Sequence, residues 1–418
     1  MDNLYQLIKI FGNPHALIDH WDTSSNRYAI WEFEETFSIN NKGEALLNGK
    51  LSNESPLELF QKTLDNWKSA SNELSAVGYI SYDFKNILFP HIAFNNPNST
   101  QPLLWFGKPK LVVPYRITES ELETASPVFR LKKDIPSPHE YKESIRKIKT
   151  ALSNGDSYQI NFTQPKKLEI TDNPLDIYLS IREMARPHYG MYLNQKDFQI
   201  LSFSPEQFFR TKNRKIESFP MKGTRPRSND LIMDERLAAE LFQSVKDRAE
   251  HLMIVDLIRN DLGKICDYDS VKVDDLYGIQ SFKTVHQMVS RVYGKLQNSI
   301  TESDIIRALF PGGSITGAPK EKSMEIIDTL EGYQRGIYTG CLGYIQPNGD
   351  MDFNIAIRTM TIQNEKAVYP VGGGIVWDSD SLEEWQEAQQ KGAILKPFQK
   401  NVQPQKVNHE KTQQFSNH

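Results

Sequence analysis

Apolar runs of strand length recur along this chain without a helix between each successive pair, and that ordering narrows the fold more than any motif does. Ala76–Tyr82, Phe198–Phe203, Gly340–Ile345, Ile355–Ile362 and Ala367–Val371 carry the β-branched and aromatic content of strands. Helical spacing marks Tyr141–Asn154, where Ile145, Ile148, Ala151 and Leu152 share a face and Gly155 stops the run. It also marks Asp234–Leu262 (closed by Gly263), Ser303–Leu309, Lys320–Leu330 and Ser381–Leu395. A doubly wound sheet needs a crossover helix for each parallel pair, and this order does not supply them. The expectation is α+β: large antiparallel β-sheets packed as a sandwich, with helices on the outside.

At 418 residues the chain has room for two or three domains, or one large one. Residues 1–125 read as a strand-rich region packed with a catalytic core. Pro136 and Pro138 break the chain before the core, which is expected over 136–398. Residues 399–418 are polar and low in apolar side chains, the composition of a disordered tail. The 49 basic and 53 acidic residues give a net charge of -4, which argues against nucleic acid or a membrane surface as partner. Cys266 and Cys341 cannot make a disulfide framework or a cysteine-based zinc site, so the cytoplasm is the expected compartment. The N-terminus lacks the basic start and apolar core of a signal peptide, and no run has the length of a membrane span.

Several segments carry chemistry. Lys222 stands in Pro220-Met221-Lys222-Gly223-Thr224-Arg225-Pro226-Arg227, which reads as a turn. If Arg225 and Arg227 lie near it, they disfavour its ammonium form and leave a nucleophilic amine; a solvated basic turn has the same letters. Glu384 and Glu387 share one helical face, with Lys391 a turn later, and Glu250 sits in mid-helix. Three carboxylates suit a hard cation such as Mg²⁺, while an exposed pair bridged to lysine gives the same spacing. Pro311–Lys320 is Gly-rich but is no P-loop, because Ala318 and Pro319 separate Gly317 from Lys320. It leaves backbone donors and Thr316 open to a carboxylate. Gly372, Gly373 and Gly374 allow close approach of a ligand or form a tight turn. Arg358 ends a β run, as a carboxylate anchor or a surface arginine. Glu206, after a strand, is a general acid if partly buried, or a turn residue. His286 is a lone histidine of the kind that is ordinarily structural.

Taken in order, these segments resemble the chorismate-utilising enzymes, strongly over 136–398. The matching stretches include Gly155–Asn161, Ser204-Pro205-Glu206, Glu250–Leu257, Arg259–Gly263, Gly312–Lys320, Arg335–Gly340, Asp352–Thr359 and Gly372-Gly373-Gly374. Residues 1–125 match loosely, around Gly78–Tyr82. The resemblance implies an anthranilate synthase component I-like fold and a role for each residue. Glu250, Glu384 and Glu387 become the Mg²⁺ site. Glu206 becomes the acid that protonates the departing 4-hydroxyl. Gln159, Thr224, His286, Thr316, Tyr338, Arg358, Gly373, Gly374 and Lys391 become substrate-binding positions. Two positions choose a branch. Where the water-adding branches carry a lysine, this chain has Gln159, which cannot activate water. Lys222 resembles the lysine of aminodeoxychorismate synthases, where anthranilate synthases carry alanine. The resemblance therefore implies 4-amino-4-deoxychorismate synthesis for 4-aminobenzoate and folate. Anthranilate synthesis is the rival, and a non-catalytic chorismate-binding or subunit-interaction protein the alternative of another class. Neither cysteine lies in a glutaminase nucleophile turn, so a separate glutamine amidotransferase subunit is the expected source of ammonia. His251, Trp377 and Ser218–Met221 depart from the family pattern, and no tryptophan-binding motif is recognisable near the N-terminus.

Overall fold

A computed structural model describes residues 2–20, 27–71, 73–95, 100–116, 129–131, 137–282 and 285–398. The expected tail, 399–418, lies outside the described residues, as does most of the boundary between the N-terminal region and the core. Every described strand joins one hydrogen-bonded network, and all pairings are antiparallel except Asp2–Asn3 beside Leu104–Arg116. The α+β architecture with large antiparallel sheet and outer helices is the observed one.

The network runs as a ribbon with the N-terminal strands in its middle. Ala16–Asp19 pairs with Tyr189–Asn194 on one side and Arg27–Ile39 on the other. Leu104–Arg116 then joins Arg27–Ile39 to Ala76–Ile80, which pairs with Cys341–Ile345. The N-terminal strands thus splice the two halves of the core's sheet. One buried cluster is built almost wholly from strand faces, including Ile18, Ile30, Val77, Tyr79, Leu193 and Leu342. Two others lie under helices. Leu64, Trp67, Val255 and Ile305 cover Phe37, Phe106 and Phe353. Leu7, Tyr178 and Ala388 cover Leu17, Leu201 and Val371. Apolar strand faces inside and half-apolar helices outside are what alternation on strands and a stripe on helices require.

Four local expectations change. Asp234–Leu262 is two helices, Leu231–Gln243 and Val245–Gly263, broken at Ser244, whose side chain accepts the Asp247 N–H and caps the second. Ile355–Ile362 is two strands, Met351–Ile355 and Thr359–Gln363, parted where Arg358 takes φ 50°. The glycine run forms no tight turn but lies inside the strand Lys366–Ile375, paired along Gln159–Ile170. The stretch around Lys222 is not a turn but the strand Met221–Pro226, with a register shift at Gly223, whose φ is 67°. Among the described residues no helix is long and apolar enough to cross a membrane.

Candidate active site

Three elements carry charged side chains toward Lys222. Its strand is covered by the helix Val245–Gly263, which brings Glu250. Glu206 follows the strand Gln199–Ser204 in a tight link, where the Ser204 hydroxyl accepts the Glu206 N–H at 3.2 Å. The helix Ser381–Lys391 packs on the strand Lys366–Ile375 and brings Glu384, Glu387 and Lys391. Gly373 shows how closely: a Cβ there would lie 3.4 Å from Lys391 Nζ, 3.5 Å from Glu384 Oε2 and 3.8 Å from Glu387 Oε1. Lys391 Nζ donates to Gly372 O at 2.8 Å and pairs with Glu387 at 2.9 Å.

Burial pushes the Lys222 ammonium down from its ordinary value, and Glu250, Glu206 and Glu387 oppose that while Lys391 reinforces it. Arg225 and Arg227 are not the cause expected from their closeness in sequence. Each is turned onto its own carboxylate: Arg225 to Asp247 at 3.0 Å, Arg227 to Asp234 at 2.8 Å. Burial also raises Glu206 to about 7, against the pull of Lys222, the Ser314 hydroxyl and Lys391. A carboxyl raised to about 7 and a lysine lowered from its ordinary value, each in the other's field, have the shifts that an acid and nucleophile pair would need.

The three glutamates share one electrostatic field. Burial raises Glu250 and Glu384, Glu384 adds to the rise of Glu250, and Glu387 adds to that of Glu384. Glu387 is held below its ordinary value, chiefly by Lys391. Among the described residues no three His, Cys, Asp or Glu side chains stand in a metal-holding group. The donor chemistry nevertheless fits a hard cation: oxygen ligands only, and two carboxyls made costly to ionise by burial and by each other.

The remaining expected positions separate into smaller sets. Gln159 is fully buried, neither polar atom of its amide has a partner, and its Nε2 lies 2.9 Å from where a Gly374 Cβ would stand. Tyr338 is buried, Arg358 is exposed, and both act on the buried Tyr369 hydroxyl. Thr316 spends its hydroxyl inside the Gly-rich loop, donating to Gly312 O at 2.9 Å. His286 is buried, its ring nitrogens 2.8 Å from Ser281 Oγ and 2.9 Å from Asp234 Oδ1. Thr224 is exposed beyond the bulge. Trp377, a departure from the family pattern, is 58% exposed.

Sequence reasoning passed over Ser314, whose hydroxyl donates to Glu206 Oε1 at 3.4 Å, and Ser379, which donates to Glu384 Oε1 at 2.6 Å. It also missed Lys246, which stabilises the charge on all three glutamates. Lys246 and Glu250 are four apart on one helix, so that pairing was readable. Nothing in the letters pointed to the two serines.

Residues 14–397 match the family described as chorismate binding enzyme. The chain belongs to that family. Its similar relatives include aminodeoxychorismate synthase component 1 of Salmonella typhimurium, 42% identical over 261 residues, or 62% of this chain. The match spans only 58% of that relative's length. Anthranilate synthase component 1 of Methanothermobacter thermautotrophicus is 32% identical over 404 residues, covering 90% of this chain and 87% of its own. Among solved structures, anthranilate synthase component I of Streptococcus pneumoniae superposes with a TM-score of 0.78 at 26% identity, over 88% of this chain and 92% of that one.

Proposed function

We propose that this chorismate binding enzyme transfers ammonia to chorismate, forming 4-amino-4-deoxychorismate, the precursor of 4-aminobenzoate for folate. The observation that carries the reading is Lys222 beside Glu206, the amine shifted toward its neutral form and the carboxyl toward its protonated form. The Lys222 amine attacks ring C2, the ring double bonds shift, and the C4 hydroxyl leaves as water with the proton of Glu206. Ammonia then adds at C4, the electrons shift back, and the C2–N bond breaks to return Lys222 as an amine. The ammonium group formed at C4 gives one proton to the Glu206 carboxylate, so acid and nucleophile are both restored. The net change is chorismate plus ammonia to product plus water.

Gly373 and Gly374 leave the backbone open beneath the charged helix, and Lys391, Tyr338 and Arg358 serve as anchors for the carboxylates of the substrate. Glu250, Glu384 and Glu387 would hold Mg²⁺, which when bound neutralises a carboxylate of the substrate. Gln159 has no basic group to activate water, which leaves nitrogen as the entering nucleophile. A separate glutamine amidotransferase subunit supplies the ammonia, since Cys341 is fully buried in a strand and burial raises both cysteine thiols. Relatives named component 1 support a second component. The reaction is placed in the cytoplasm.

Anthranilate synthesis is the second reading, favoured by the relative that matches along 90% of the chain. Incubation with chorismate, Mg²⁺ and ammonium, with the product identified by mass and ultraviolet spectrum, separates the two. Anthranilate as the product removes the role given to Lys222.

A further inference from the structure

Of the stretches that follow the family pattern, Arg335–Gly340 supplies the anchor Tyr338 and begins with an arginine that has no part in the chemistry above. Arg335 keeps 1% of its side chain exposed, and its partner Glu331 keeps 2%. A guanidinium has five N–H donors. Here all five are spent inside the protein. Two go to the Glu331 carboxylate, each at 2.8 Å. Two go to backbone carbonyls, Ile315 O at 2.8 Å and Asn161 O at 2.5 Å. The fifth goes to the Thr339 hydroxyl at 3.2 Å. None is left to hold a carboxylate of the substrate.

The two carbonyls belong to the walls against which chorismate is proposed to lie. Ile315 precedes Thr316 in the Gly-rich loop, and Asn161 pairs with Gly374. Asn161 ties the same walls together: its N–H donates to Thr316 O at 2.8 Å and its amide to Ile315 O at 3.0 Å. The Arg335 carbonyl accepts the Tyr338 N–H at 3.1 Å. Behind Arg335 stands the N-terminal region. The guanidinium lies over the Tyr82 ring, 4.5 Å from its centre, and that ring packs on Ile315. The Tyr82 hydroxyl has no hydrogen-bond partner among the described residues, so the ring is what supports. Gly336, at φ 58°, is gripped at both backbone groups. Its N–H donates to Asp83 at 3.0 Å, and its carbonyl accepts from the Tyr82 N–H and the Ser81 hydroxyl, each at 2.8 Å.

We infer that Arg335, backed by Tyr82, is a positioning residue of the chorismate pocket: it staples the Gly-rich loop to the strand that carries Asn161, and it makes residues 81–83 part of the substrate-binding unit. The inference rests on the function proposed above and goes beyond it by giving the N-terminal region a role in binding. A buried ion pair regains little beyond the cost of desolvating it, so stability is a poor reason for one and fixed geometry a better one. Only a planar fork reaches loop, strand and Glu331 at once; a lysine is a point charge with three donors. None of the five bonds reaches Lys222 or Glu206, so losing them is felt in binding rather than in chemistry.

Steady-state rates on the intact chain test this, with chorismate varied at saturating Mg²⁺ and ammonium. Arg335→Lys is expected to raise the KM for chorismate by about tenfold or more while kcat stays within about threefold. A merely structural arginine gives the opposite result: fewer folded molecules, hence a lower apparent kcat and melting temperature with KM unchanged. A KM within about twofold of wild type in Arg335→Lys overturns the role. Tyr82→Leu removes the ring and is expected to raise KM by about fivefold, whereas Tyr82→Phe keeps the ring and restores the wild-type value. If Arg335→Lys does not fold, this pair decides, and equal KM values for Leu and Phe overturn the inference. The KM is read on whichever aminated product forms, so an anthranilate product refutes the role of Lys222 alone. Wild-type protein that consumes no chorismate fails the functional reading itself, and the positioning role falls with it.

Discussion

Replacing Glu206 by Gln should stabilise the fold while it stops the chemistry, and the pH dependence of that gain can be worked out. Burial lifts the Glu206 carboxyl from 4.5 to about 7. Between those values the folded chain holds a proton that the unfolded chain has lost, so wild-type stability falls as pH rises. The stabilisation from the protonated form is fully present below about 4.5 and is lost as pH climbs through about 7. The whole shift corresponds to about 3 kcal/mol, of which about 1 kcal/mol has gone at pH 5 and nearly all by pH 8. Glutamine mimics the protonated acid and does not titrate. For a chain this long, 3 kcal/mol is about 3–4 °C in melting temperature. Calorimetric scans of both proteins from pH 5 to pH 8, in EDTA so that no cation sits near the carboxyl, should show the variant's lead growing from about 1 °C to about 4 °C. Turnover of chorismate with ammonium should fall by about 10²–10⁴-fold, in kcat rather than KM. A lead in melting temperature that does not change with pH would mean that Glu206 is not held protonated, and the acid role would go with it.

Three further outcomes follow from named contacts. Lys222→Ala should cut 4-amino-4-deoxychorismate formation by about 10³-fold or more with the melting curve little changed, and near-normal turnover on ammonium would refute covalent catalysis. Glu384→Gln should raise the Mg²⁺ concentration for half-maximal activity by about tenfold or more; a wild-type enzyme fully active in EDTA would remove the metal assignment. Gly317→Ala should cost about 2–4 kcal/mol, because its φ is 146° and a Cβ would stand 2.0 Å from Gln159 O, a backbone atom that cannot step aside. An unchanged denaturation midpoint would show that the loop relaxes.

What the letters revealed and what they hid divides along a physical line. Strand and helix content was legible because it depends on local periodicity, as in Tyr141–Asn154, observed as the helix Pro138–Ser153. Interruptions set by a single backbone angle or cap were not, as at Ser244 and Arg358. The charged cluster was legible by type, since Glu250, Glu384 and Glu387 could be named from spacing and family pattern. The cause of the Lys222 shift was misread because neighbours in sequence were taken for neighbours in space. Arg225 and Arg227 pair instead with Asp247 and Asp234. Burial depresses the amine, and Lys391, whose charge adds to that, lies 169 positions away, brought near by sheet pairing that no local pattern encodes. The same holds for the Asp261–Lys320 bridge. Each partner lies inside a stretch that reads as family pattern, Arg259–Gly263 and Gly312–Lys320, yet 59 residues separate them. Only the packed helix and loop bring the two charges within 2.7 Å of each other.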